Sequence, residues 1–308
     1  MLPGQISRGP SLGARRGWRS ALTMRAMAGG TGHTVRMPIL NKDMTLCISL
    51  SARPSNLGTR FHNYLYEELG LNFIYKAFAP TDLADAIAGV RGLGIRGCAV
   101  SMPYKEAVIA FIDEMDASAS AIDSVNTIVN DGGHLTAYNT DYSAVQRLLT
   151  EQRVPSAYSV IVRGSGGMAK AVAAALHDAG FARGTIVARN EVTGRAVAAL
   201  YNYDWAPDIG VLTADLIVNV TPVGMAGGAE ADHTSFPAAT IAAAKLVFDV
   251  VASPAETPLI VAARARGLPV ITGAEVVALQ AEEQFFLYTG IRPTVDQVRR
   301  ASAFSREP

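Results

Sequence analysis

The sequence predicts an α/β protein of two domains, and three observations carry that expectation. From Met44 to Asn139, strand-like apolar runs alternate with helix-patterned segments, the pattern of a mostly parallel sheet with helical crossovers. The stretch Ser159 to Ala174, SVIVRGSGGMAKAVAA, passes from an apolar strand through a glycine turn directly into an alanine-rich helix. The 308 residues, 49% of them hydrophobic, are enough for about two domain cores.

Residues 1–42 contain no Asp or Glu but six arginines (Arg8, Arg15, Arg16, Arg19, Arg25 and Arg36) among scattered Gly and Pro. This composition predicts a disordered tail without chemistry of its own. A transit peptide is also basic and acid-poor, but no clean amphipathic period is present, and Met37 is an alternative start. The strand MTLCISL follows, then a helix through Phe61 to Leu69, the strand NFIYKAFA, a helix from Leu83 to Leu93 and the strand IRGCAVS. SVNTIVN and LTAYNTD read as two short strands joined at Asp131-Gly132-Gly133, a strong turn signal. Tyr142 to Gln152 reads as a connecting helix, and Pro155 opens the glycine-turn module, which runs to about Ile271. Helices over Glu275 to Tyr288 and Thr294 to Phe304 are expected to return to the first module. The expected division is therefore 43–142 plus 274–308 as a substrate and catalytic domain, with 143–273 as a nucleotide-binding domain.

Twenty-seven basic and 27 acidic residues give a net charge of zero, which gives no support for a nucleic-acid or anionic-membrane partner. No apolar run reaches the length of about 18 residues that spans a bilayer. A small-molecule substrate is expected, bound by a monomer or homodimer. Cys47 and Cys98 both lie in apolar strand-like runs and read as buried free thiols in a reducing, cytoplasmic setting. No metal site is expected.

The glycine turn points to chemistry. Gly164, Gly166 and Gly167 remove Cβ atoms where a backbone must bend sharply and approach a pyrophosphate, with free N–H groups of the helix start facing the anion. An ordinary tight turn is the alternative, against which the strand before and the helix after both count. The next strand, GTIVARN, ends at Ala188 and Arg189, where an NAD site usually carries an Asp or Glu for the ribose 2′-hydroxyl. An arginine there would pair with a 2′-phosphate instead, so NADP is favoured over NAD, with Arg195 a second contact farther along the helix. A solvated strand-end residue is the competing reading of Arg189.

The ordered motifs AVSMPYKEA, SVNTI, AYNTD, RGSGGMAKA, NVTPVGM, DVVASPAETPL and GAEVVALQAEEQF span most of the chain. Together, from Met44 to about Arg299, they resemble the shikimate dehydrogenase family, and most of all its shikimate dehydrogenase-like branch. The resemblance implies a substrate domain closed by the C-terminal helices and a Rossmann-type NADP-binding domain. It also implies NADP-dependent interconversion of a ring alcohol and ketone, of the kind that serves the shikimate pathway of aromatic amino acid biosynthesis. It makes Lys105 and Asp141 the catalytic pair. Lys105 follows Pro103 at the end of a buried strand, and Asp141, at the end of the strand-like AYNTD, can orient the ammonium; a structural ion pair is the bland alternative. Asn126, Gln280, Ser101 and Asn56 are the implied substrate contacts. Ser165, Met168, Ala169, Asn190, Thr221 and Gly273 join the three glycines and two arginines as implied cofactor contacts.

Departures from the family pattern concern the substrate. With His62-Asn63 as anchor, the usual Ser-x-Ser that holds the shikimate carboxylate falls on Asn56-Leu57-Gly58, while Ser49-Leu50-Ser51 has the right letters seven residues earlier. Ala99 stands for an Asn and Ala252 for a Tyr, although Ser101 keeps the hydroxyl of the usual Thr. Each lost hydrogen bond to a buried polar group costs roughly 1–3 kcal/mol, so shikimate is expected to bind poorly unless Asn56, Ser51 or Arg53 compensates. Two functions follow: an NADP-dependent dehydrogenase of shikimate or a related polyhydroxy ring acid, or a catalytically weak NADP-binding regulator. The joint presence of Lys105, Asp141, Asn126 and Gln280 favours the enzyme.

Overall fold

A computed structural model describes residues 39–307, so the tail expected over 1–42 falls almost wholly outside the described residues. The chain begins with β1 (Thr45–Leu50), α1 (Asn56–Glu68), β2 (Phe73–Phe78), α2 (Leu83–Gly92) and β3 (Gly97–Val100). A short 3-10 turn (Ala107–Phe111) leads to β4 (Glu114–Met115), α3 (Ala117–Ser120), β5 (Thr127–Asp131) and β6 (His134–Tyr138). These strands form one sheet in the order β2-β1-β3-β5-β6-β4. β1 lies parallel to β2 and β3, and β4 is parallel to β6, whereas β5 runs antiparallel to both β3 and β6. The predicted Asp-Gly-Gly turn closes the β5–β6 hairpin, with both glycines at positive φ.

The connecting helix α4 (Thr140–Glu151) leads into the second sheet, which has β7 (Val160–Arg163), α5 (Gly167–Asp178), β8 (Gly184–Val187), α6 (Glu191–Leu200), β9 (Asp204–Ala206) and β10 (Leu216–Asn219). It ends with α7 (Ala238–Ala243), β11 (Leu246–Asp249), α8 (Pro258–Arg264) and β12 (Val270–Thr272). All its neighbours are parallel, in the order β12-β11-β10-β7-β8-β9. This is the doubly wound dinucleotide-fold order, and the chain reverses direction between β7 and β10, where such sheets open a crevice at the strands' carboxyl ends.

The C-terminal helices α9 (Gly273–Thr289) and α10 (Val295–Ser305) return to the first sheet. Reciprocal capping boxes, Thr272 with Glu275 and Thr294 with Gln297, start both. Helix α9 lies so close to β3 that a Cβ on Gly97 would come within 2.3 Å of the Tyr288 ring. Arg96 Nε donates to the Tyr288 carbonyl at 3.1 Å, and Arg300 of α10 pairs with Glu68 of α1. Two element boundaries differ from expectation. α1 starts at Asn56 rather than Phe61, because extended Ser55 leads into a first turn whose only large apolar residue is Leu57, so no hydrophobic period marks it. α4 starts at Thr140, so Asp141 belongs to a helix's first turn and not to a strand end. Cys47 and Cys98 are buried and free, as expected.

At the centre of the aromatic core between α1, β2 and α9, His62 is fully buried and stacked on Tyr75 with ring centroids 4.5 Å apart. Neither ring nitrogen has a hydrogen-bond partner among the described residues. Burial pushes the imidazole down to about 3, only partly opposed by Gln284. An unfolded His binds its proton near pH 6.5, so the folded protein binds fewer protons between these values and loses stability as pH falls through that window. Urea unfolding is expected to show about 2 kcal/mol of lost stability from this group between pH 7 and pH 5. His62→Phe, which keeps the ring stack, should flatten that acid limb; an unchanged slope would exclude His62 as its source.

Candidate active site

At the carboxyl end of β3 the chain turns through Ser101 to Lys105, whose carbonyl accepts from the Val125 amide at 2.8 Å. The opposing group comes from α4. Asn139 caps that helix, accepting from the Tyr142 amide at 3.1 Å while its own Nδ2 donates to the Ser124 carbonyl at 2.8 Å. The cap fixes the first turn, and Asp141 in it accepts from Lys105 Nζ at 2.6 Å. The two side chains are only 28% and 16% exposed, so the charges meet at the wall of a cavity rather than in bulk solvent.

That cavity, of about 290 Å³, is also lined by Asn126, Gln280, Gln284, Ser101, Ser49, Ser51, Arg53 and Tyr75. Asn126 is the best defined of them. Its Oδ1 accepts from Thr127 Oγ1 and the Thr140 amide, both at 2.8 Å, and from Thr140 Oγ1 at 3.2 Å. Three donors on one oxygen orient the amide, and its buried Nδ2 has no partner among the described residues. A buried N–H donor of this kind is ready for a ligand oxygen. Gln284 extends the network, donating to Thr127 Oγ1 at 2.8 Å. It lies one helical turn from Gln280, so the Q-x-x-x-Q spacing puts both amides on one face of α9.

The second crevice, about 890 Å³, opens where the second sheet reverses direction, at the carboxyl ends of β7, β8 and β10. Gly164 is held at φ +128°, and a Cβ there would fall 2.7 Å from Val220, so both the turn and its close packing require glycine. Gly166 caps α5 without any side-chain bond to the first-turn amides. Nothing lies within 4 Å of the Cβ positions of Gly166 or Gly167. Free amide donors at the start of a twelve-residue helix, beside glycines with open space, make an anion cradle. At the end of β10, buried Asn219 Nδ2 donates to buried Asp249 at 2.9 Å while its Oδ1 accepts from Thr221 Oγ1 at 2.6 Å, which positions the Thr221 loop at the crevice. Burial raises the Asp249 carboxyl above its usual range, opposed by its bonds from Thr257, the Val251 amide and Asn219.

Two arginines line this crevice. Arg189 is exposed at the end of β8, without an ion pair among the described residues. Arg163, the last residue of β7, is half-buried and donates to the Ser235 carbonyl. Burial lowers the Arg163 guanidinium, with Glu230 opposing and Arg189 adding to the effect, so the two cations lie within each other's field. The residues fit a dinucleotide carrying a 2′-phosphate: a cradle for the pyrophosphate and paired positive charge at the strand ends.

Of the residues expected at the cofactor, Gly164, Ser165, Gly166, Arg189, Asn190 and Thr221 line the crevice. Gly167, exposed at the start of α5, Met168 and the fully buried Ala169 are not among the residues lining it. Gly273 instead abuts the loop after β11, where a Cβ would meet the Val250 carbonyl at 2.3 Å. Arg195 is not brought to the crevice: it pairs with Glu191 at 2.8 Å and lies over the Trp205 ring at 4.3 Å. On the substrate side, Lys105, Asp141, Asn126, Gln280 and Ser101 come together, but Asn56, the first residue of α1, does not line the cavity. Gly58, Ser49 and Ser51 do. Sequence reasoning missed Tyr75 and Arg163; the position of Arg163 directly before the glycine turn was the available signal.

Comparison with known proteins agrees with this geometry. Residues 48–128 match the shikimate dehydrogenase substrate binding domain. The chain is 56% identical over 268 residues to a shikimate dehydrogenase-like protein of Haemophilus influenzae, an alignment covering 87% of this chain and 99% of the relative. It is 37% identical to the NADP(+) shikimate dehydrogenase of Moorella thermoacetica, covering 81% of this chain and 90% of that one. Among solved structures, the shikimate 5-dehydrogenase of Thermus thermophilus in complex with NADP(H) and shikimate superposes with a TM-score of 0.76 at 29% identity, over 85% of this chain and all of that one. A doubly wound nucleotide crevice, a Lys–Asp pair beside an oriented amide, and identity of this extent over nearly the whole described chain lead to one conclusion: the chain belongs to the shikimate dehydrogenase family.

Proposed function

We propose that the protein is an NADP(H)-dependent oxidoreductase that interconverts a ring alcohol and its ketone, shikimate or a related polyhydroxy ring acid being the substrate class. The observation that carries this is the Lys105–Asp141 pair at 2.6 Å in one cavity with the unpartnered Nδ2 of Asn126. Bound NADP(H) supplies or accepts the hydride. The Gly164–Gly167 turn would hold its pyrophosphate, and Arg189 with Arg163 its 2′-phosphate. In the reducing direction Lys105 Nζ donates its proton to the oxygen that becomes the alcohol, and the amine regains one from solvent. Asp141 keeps the ammonium aimed at that oxygen, and Asn126 Nδ2 donates to a neighbouring ring hydroxyl. The relatives named above as NADP(+) shikimate dehydrogenases support the same chemistry.

A scan of shikimate, quinate and simple cyclic polyols with NADP+ and NAD+, followed by absorbance of the reduced nicotinamide, tests the reading. Turnover of a polyhydroxy ring acid with NADP+ is expected. Tight NADPH binding with no turnover of any ring alcohol would favour a nucleotide-binding regulator instead.

Gly58 sharpens the expectation about shikimate. It is helical, lines the cavity, and a Cβ there would meet the Tyr75 hydroxyl at 3.5 Å, an ordinary contact. Serine therefore fits without backbone strain. Gly58→Ser is expected to raise kcat/KM for shikimate roughly tenfold, the scale of one hydrogen bond regained, while Asn56→Ser, outside the cavity, changes little. Equal effects of the two substitutions in steady-state kinetics would contradict this placement.

A further inference from the structure

The cavity of Lys105 and Asp141 does not end at α1. A second compartment of about 300 Å³ adjoins it between α1, α9, α10 and the loop after β11, and Gly58 and Gln280 line both. At position 58 there is no side chain to divide the two, and across from it Ala252 contributes only a methyl group. The second compartment differs in character from the first. Leu57, Phe61, Val277 and Ala281 give it apolar walls, whereas the first is lined by hydroxyls, amides and charges.

Polar groups interrupt those walls, since Ser253, Gln280, Ser302, Ser305 and Arg306 also line the compartment, but its surface is mostly apolar. Ser302 of α10 is 7% exposed, lines the compartment, and its hydroxyl has no hydrogen-bond partner among the described residues. The neighbouring Ser305 is not in that position, since its hydroxyl donates to the Ser302 carbonyl at 2.9 Å. Concave, mostly apolar space with a few placed polar groups is the usual form of a small-molecule subsite.

We propose that the preferred substrate is a ring alcohol bearing an apolar substituent: the ring sits against Lys105, Asp141 and Asn126, and the substituent passes over Gly58 into the second compartment. This rests on the reading of the polar cavity as the site of alcohol oxidation. A bare polyhydroxy ring acid fills only the first compartment. Burial of an added apolar group should be rewarded in affinity, because the hydrophobic contribution scales with the area removed from water.

The test compares shikimate with its benzyl ester and its mono-benzyl ethers, measuring binding by isothermal titration in the presence of NADP+ and turnover by nicotinamide absorbance. At least one benzyl derivative is expected to bind wild type tenfold or more tightly than shikimate. Ser302→Leu and Leu57→Trp, which fill the compartment from α10 and from the half-exposed start of α1, should bring that ratio towards one. The substitution at Leu57, which is 42% exposed, keeps the test valid if the buried one fails to fold. Three results would overturn the proposal: no derivative binding better than shikimate, an advantage that survives both filling variants, or a loss of NADPH affinity in Leu57→Trp, which would assign the compartment to the cofactor. Turnover of shikimate without any benzyl advantage removes the second compartment alone. A benzyl advantage in binding without turnover of any alcohol keeps the compartment and removes the dehydrogenase reading.

Discussion

Lys105→Met is expected to lower kcat by about 10²- to 10⁴-fold, the range of a positioned acid/base, with the dissociation constant for NADPH nearly unchanged. Lys105 Nζ is 2.6 Å from Asp141 Oδ2 and lines the substrate cavity, but not the nucleotide crevice, so its loss should register in chemistry rather than in cofactor binding. Lys105→Arg separates charge from proton transfer, because a guanidinium keeps the positive charge yet does not give up its proton near neutral pH. A pure electrostatic role would be largely rescued by arginine; an acid/base role would not. Asp141→Asn keeps an oxygen able to accept from Nζ and removes the negative charge, so a smaller loss is expected. The measurements are steady-state kcat with the best ring alcohol and NADPH titration by nicotinamide fluorescence. Near-normal turnover in Lys105→Met would require a different proton donor in the cavity.

The fold was legible because its signals are dense. The β7, β8, β10 and β11 strands are short, mostly apolar and largely buried, and the glycine turn between an apolar strand and an alanine-rich helix marks the first crossover. Lys105, Asp141 and Asn126, which line one cavity, were singled out because they lie in motifs whose resemblance to a family is specific. The start of α4 was less legible: Asn-Thr-Asp carries no apolar period, and only the capping bond from the Tyr142 amide to Asn139 shows that Asp141 is helical. Arg195 illustrates a different limit. Helical spacing gave its distance from Arg189 but not its partners, and Glu191 four residues earlier together with the Trp205 ring draws it away. Asn56 was placed by register alone, which says nothing of which way a helix's first residue faces. Ser49 and Tyr75 reach the cavity from β1 and β2 through tertiary convergence, which no local pattern encodes.

Arg189→Ala is expected to weaken NADPH binding by about 10- to 100-fold, as for loss of a hydrogen-bonded charge pair, and to leave NADH binding nearly unchanged. Arg163→Ala should act in the same direction, because Arg163 and Arg189 line one crevice and lie within each other's field. Glu230 in the same crevice offsets part of their charge, and a phosphate held by either guanidinium would gain a charge-assisted hydrogen bond. The relation between the variants is the more discriminating result. If both arginines hold the same phosphate, the double variant should lose less than the sum of the single free-energy losses, since either substitution alone already loosens the shared group. Strictly additive losses would place them on separate parts of the cofactor. Arg195→Ala provides the contrast: paired with Glu191 and stacked on Trp205, it should alter NADPH affinity little. Titrations with 2′,5′-ADP and 5′-AMP make the assignment without involving the nicotinamide, and the preference for the bisphosphate should shrink in Arg189→Ala and Arg163→Ala. A wild-type protein that binds NADPH and NADH equally would overturn the 2′-phosphate assignment for both residues, because the crevice would then gain nothing from its two positive charges.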